Sequence, residues 1–227
     1  MNKEGEKKMN LPTAISDCIT ANQINDIKDT DWKQLGKESL INAFNLIPYA
    51  GGFIASEVAS IRDFRQQNFF RKFLRFVYEI KDTTEKDRKE FIDDVEKATD
   101  DSSGNIIADM IDRTDNINKI VILSNLVKAK IAKQISIEDF FRLSLVVEKI
   151  PYTDFKYLKE FETQNYLGDG ITEALNSAGV LFPTLIDANK GNKYVLTDLG
   201  ARLVFYGLGL EVEISEKPRT IVPAYLD

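Results

Sequence analysis

Apolar residues recur at intervals of three and four along most of this chain, which predicts a mostly α-helical protein. Leu11 to Thr20 reads as a short helix with Pro12 near its start. Asn25 to Asp31 is a polar linker rich in capping residues. Trp32, Leu35, Leu40, Phe44 and Ile47 then share a helical face, and Pro48 ends that helix. Gly51 and Gly52 permit a sharp turn, so Pro48, Gly51 and Gly52 form an expected hinge. Phe53 to Ile80 is the longest helix expected. Its first half places Phe53, Ile54, Val58, Ile61 and Phe64 on one face. Its second half places Phe69, Phe73, Phe76, Val77 and Ile80 on another. The stripe shifts near Gln66–Asn68, so this helix is expected to bend there or to meet different neighbours along its length.

Thr84 to Ala98 predicts a helix with Phe91, Ile92 and Val95 inward, and residues 100–105 predict a loop. Ile106–Thr114 and Ile117–Ile131 follow as helices, the second apolar on most faces and expected to lie at the centre. The texture changes at Ser136. That residue and Asp139 form a capping pair for a helix that Pro151 ends. A helix from Thr153 and another closing at Gly179 come next. Two strand-like runs, VLFPTLI and KYVLT, flank a turn-rich DANKGN, and Thr197 caps a last helix. Three helices, a β-ribbon and a helix is a winged-helix order. The expected organisation is a flexible arm with a short helix over 1–30 and a helical bundle over 31–134. A winged-helix-like domain follows over 135–210, then a tail over 211–227 with a strand-like EVEI.

Composition narrows the chemistry. With 43% hydrophobic residues the 227-residue chain is able to build real cores. It has no histidine, which removes His bases, His-activated nucleophiles and His metal ligands. Cys18 is alone, so no internal disulfide or cysteine zinc site forms, and a cytoplasmic setting is expected. No signal peptide is visible at the start of the sequence, and no run reaches the roughly 18 apolar residues of a spanning helix. Asp109, Asp112 and Asp115 could share a helix edge, and Asp93, Asp94, Asp100 and Asp101 lie near one another in sequence. They read as solvated acidic faces, so no metal, cofactor or catalytic residue is expected.

Two regions carry candidate surfaces. The uncharged run Leu40–Ser56 precedes a helix in which Arg62, Arg65, Arg71, Lys72 and Arg75 alternate with phenylalanines. Such a helix either faces a core or offers its cations to a partner or an anionic membrane. In the C-terminal region, Asn176 and Ser177 on the reading helix and Lys190 and Lys193 on the wing are the possible nucleic-acid contacts. Residues 135–227 hold nine Lys/Arg against fourteen Asp/Glu, so nucleic acid is not the expected partner.

Leu175, Ala178, Gly179 and Val180, with Tyr194, Leu196, Thr197, Gly200 and Leu203, resemble the recognition-helix and wing stretch of bacterial winged-helix proteins. The wider order is an apolar helix, the Pro48-Tyr49-Ala50-Gly51-Gly52 turn, an Arg/Phe-rich helix, several more helices and a winged-helix-like end. It resembles the abortive-infection-alpha type of bacterial proteins, which are associated with phage defence. The resemblance implies no catalytic residue, and with the basic helix the expected function is a non-enzymatic defence-type effector or adaptor that acts through a protein partner, self-association or peripheral contact with the inner membrane. A winged-helix DNA-binding transcription regulator is the alternative.

Overall fold

A computed structural model describes residues 9–28, 31, 35–47, 50–185 and 193–213, without the side chains of Asp169 and Leu185. The protein is mostly helical, and its described residues include a small antiparallel sheet of two strands. It divides into two compact units, Met1–Ser144 and Leu145–Asp227.

The first unit is built of helices. Helix α1 (Leu11–Thr20) begins where the Asn10 side chain accepts the Thr13 amide at 3.0 Å. A short 3-10 turn at Asn22–Asp26 follows. Helices α2 (Lys37–Phe44) and α3 (Ala50–Ser60) pack on each other. Helix α4 (Phe64–Glu79) packs on the later α7 (Ile117–Ile131). Between them run α5 (Glu85–Thr99), capped by Thr84, and α6 (Ser103–Arg113). Helix α8 (Ile137–Lys149) starts where Ser136 Oγ accepts the Asp139 amide at 3.1 Å. The division between units falls within it.

The apolar run near residue 50 belongs to the core. Phe44, Ile47 and Ile54 have no exposed surface, and among its described residues Leu46 is the one large side chain that stands well out. Phe44 stacks on Phe73 of α4, with ring centroids 5.8 Å apart. Burying side chains of this size stabilises the fold by about 1.5–3 kcal/mol each, which outweighs any single surface contact. Helix α7 lies deep, as its pattern predicts, with Ile120, Leu123, Leu126 and Val127 inward.

Four expectations about the first unit need correction. The helix expected over 53–80 is two helices. Asp63 adopts an extended conformation, and its carboxylate accepts the Arg65 amide at 3.1 Å. An aspartate cap restarts the helix there, and Lys37 donates to the freed Ile61 carbonyl at 2.9 Å. The break at 61–63 therefore precedes the expected stripe shift. Gly51 and Gly52 lie inside α3 and not in a turn; Pro48 is outside the described residues. The helix before them starts only at Lys37, after an extended Gly36, and Trp32 is outside the described residues. Ser103, Gly104 and Asn105 are the first turn of α6 and not loop. Gly104 lies where its helix meets α1, and a methyl there would overlap the Pro12 carbonyl.

In the second unit a 3-10 segment (Tyr152–Glu162) turns Phe155, Leu158 and Phe161 inward. Helix α9 (Asp169–Ser177) closes at Gly179, whose φ of 82° suits glycine. Strands β1 (Leu181–Leu185) and β2 (Lys193–Leu196) pair antiparallel, Leu181 opposite Leu196, with an irregularity after Pro183. Helix α10 (Asp198–Arg202) runs into one wider turn at Leu203–Gly207. Its cap Thr197 accepts the Gly200 amide and donates to the Gly179 carbonyl, tying the start of α10 to the end of α9. The segment 211–213 forms no strand; the DANKGN turn and the residues after 213 lie outside the described set.

Candidate functional site

The five cations of the basic helix have separate fates. Arg62 is exposed just before α4. Arg65 is 80% exposed in its side chain and pairs with Asp112 of α6 at 3.2 Å. Arg71 is half-buried. Lys72 is only 3% exposed. Its Nζ donates to the backbone oxygens of Asp112 at 3.0 Å and Thr114 at 2.9 Å, closing the C-terminal end of α6. Burial holds its ammonium below the usual lysine range, with Asp112 pulling the other way. Arg75 pairs with Glu79 and lies over the Tyr78 ring at 5.7 Å. Open charge is thus concentrated at the start of α4.

That same end of α4 borders an open groove of about 520 Å³. Leu11, Ile61, Phe69, Phe70 and Ala108 supply its apolar lining. Glu57, Asp63, Asp109 and Asp112 supply carboxylates, and Arg65 the one guanidinium. Four elements build it: the start of α1, the end of α3, the first half of α4 and one face of α6. Phe64, flanked in sequence by the lining residues Asp63 and Arg65, is 72% exposed. No other large hydrophobic side chain among the described residues is so open. The hydroxyl of Ser60 donates to the Glu57 carbonyl at 2.7 Å and is not presented as a nucleophile. An apolar floor with a charged rim suits recognition of an amphipathic segment.

In the second unit Asn176 is half-buried, while Ser177 and Lys193 are exposed; Lys190 lies outside the described residues. Glu173, on the same helix, accepts the Tyr194 hydroxyl at 3.1 Å. A small cavity of about 60 Å³ is lined by Glu162, Asp198 and Glu213, room for a few waters. Among the described residues no cluster of His, Cys, Asp or Glu is arranged to hold a metal ion. No helix of the described residues is long and apolar enough to cross a membrane. Asp94 and Asp115, two of the candidate acids, pair with Lys130 and Lys119, both at 2.7 Å.

The sequence singled out Arg65, Asp109 and Asp112 and put the two aspartates on one helix edge, yet nothing in the spacing brings Arg65 to them. It passed over Glu57, and Phe64 counted only as an apolar position. Asp63 carried a usable signal, since an aspartate directly before a helical run is a cap candidate. No family model, curated protein or solved structure matches the chain.

Proposed function

We propose that this protein is a non-enzymatic effector or adaptor of the bacterial defence type, acting through contact with a protein. The observation that carries the reading is Phe64, 72% exposed at the same end of α4 that gives Asp63 and Arg65 to an apolar groove with a charged rim. Aromatic side chains of this kind anchor protein interfaces when a partner removes them from water. The defence assignment rests on the order of elements that resembles the abortive-infection-alpha type. The winged-helix-like reading of residues 135–210 then describes a packing or contact module. A membrane version has less to draw on, because Phe44, Ile47 and Ile54 are in the core and Lys72 is capped onto α6.

The test is a photo-crosslinking phenylalanine placed at position 64 in bacterial cells. The expected result is a discrete adduct, with one other protein or a second copy of the chain. The same group at Glu90, on the exposed face of α5, should give none. Lipid adducts alone, or identical patterns from both positions, would reject the reading.

A further inference from the structure

The groove has a definite chemistry, and resting on the adaptor reading we infer that it docks a basic amphipathic helix of a protein partner. An apolar side chain of that helix would sit on Ile61 and Phe69, with its cations against Glu57, Asp63 and Asp109. Four carboxylates face one guanidinium around the groove. Glu57 and Asp63 have no cation partner among the described residues. Asp109 is held by Arg113 only through an exposed pair at 3.4 Å. Arg65 and Asp112 are likewise exposed, at 80% and 40%, and such a pair exchanges readily for a partner's cation. The chain's net charge of −6 adds long-range attraction for a basic partner.

Shape argues in the same direction. A volume of about 520 Å³ is enough for large side chains. Its rim residues Glu57, Asp63, Arg65, Asp109 and Asp112 are all exposed, so the groove is open to water on that side. A helix laid along the groove would cover its apolar lining. The carboxylates repel nucleic acid and anionic lipid, which leaves a cationic protein segment as the occupant the charges favour.

The experiment uses the full chain and a fluorescein-labelled stapled helix of about 15 residues. The helix has leucines at i, i+3, i+4 and i+7 and lysines on its other faces. Fluorescence polarisation should show saturable binding. Glu57→Gln, Asp63→Asn and Asp109→Asn should each weaken it by roughly threefold to tenfold. Asparagine caps a helix as well as aspartate, so Asp63→Asn keeps the start of α4, and unchanged thermal melts would verify the fold. Arg65→Gln should tighten binding about threefold by freeing Asp112. The inference is overturned by equal binding of a Leu/Glu helix, equal binding of an Ala/Lys helix without leucines, or no response to the carboxylate substitutions. A protein adduct at position 64 with no binding of the basic helix would leave the adaptor reading standing and remove this one. Loss of both would remove both.

Discussion

A methyl group added at Gly51 would overlap the Phe44 carbonyl oxygen and the Ile47 side chain, whereas one added at Gly52 would meet nothing. Gly51 is there because α2 and α3 approach closely, and Gly52 is an exposed helical position with no such constraint. Gly51→Ala should therefore cost about 1–3 kcal/mol through overpacking. Gly52→Ala should add up to about 1 kcal/mol by helix propensity and reduced freedom of the unfolded chain. Urea titrations of the two variants give opposite shifts if the close approach is correct. Cys18 offers a second residue-scale check. Burial, helped by the Asp17 carboxylate, pushes its thiol up to about 12 from 9.0. Between those values the folded chain keeps a proton that the unfolded chain has lost. The stability it contributes is whole below pH 9.0 and is lost as pH rises towards about 12. Relative to Cys18→Ala, the wild type should lose roughly 4 kcal/mol across that range. An unchanging gap between the two in urea melts would contradict the buried thiol.

Helix ends show where single side chains govern whole elements. Lys72→Met removes two charge-assisted bonds to the end of α6 and also removes a buried charge. The losses exceed the relief, so the variant should be less stable by about 2 kcal/mol, with faster amide exchange in the last turn of α6. Sequence reading found most ends that depend on local signals: the Ser136 and Thr197 caps, a helix start at Thr84 and the Gly179 stop. It missed those that depend on distant partners. Periodicity places a lysine in solvent, but Lys72 is drawn inward by carbonyls some 40 residues away in sequence. One local end was also missed: Asp63 breaks the long helix because its cap competes with a pattern that would otherwise continue. Gly104 looks like loop until Pro12 is seen against it. The groove was illegible for the same reason. Its residues come from four separate elements, and only tertiary packing of α1, α3, α4 and α6 brings Leu11, Glu57, Phe69 and Asp109 to one place.

At the scale of the molecule, charge separates a protein-contact module from a DNA-binding regulator. Duplex affinity comes chiefly from cations that displace counterions from phosphate. From Leu145 to Asp227 the second unit carries eight Lys/Arg against twelve Asp/Glu. Its helix α9 offers Asn176 and Ser177 but no cation, and Glu173 sits on the same helix. Lys193 is exposed at the start of β2. An amide and a hydroxyl read base edges only when other groups hold the backbone in register. The open cations Arg62 and Arg65 belong to the first unit, where Arg65 already faces Asp112 and the groove's other carboxylates repel phosphate. The expectation is that the full-length protein shows no saturable binding to a duplex in low-salt fluorescence anisotropy. Submicromolar binding that fades steeply with salt and disappears in Lys190→Gln/Lys193→Gln would reverse the ordering of the two functions. Binding that survives those substitutions but falls with Arg62→Gln/Arg65→Gln would instead place phosphate at the start of α4, the one place where the described cations of the basic helix remain open.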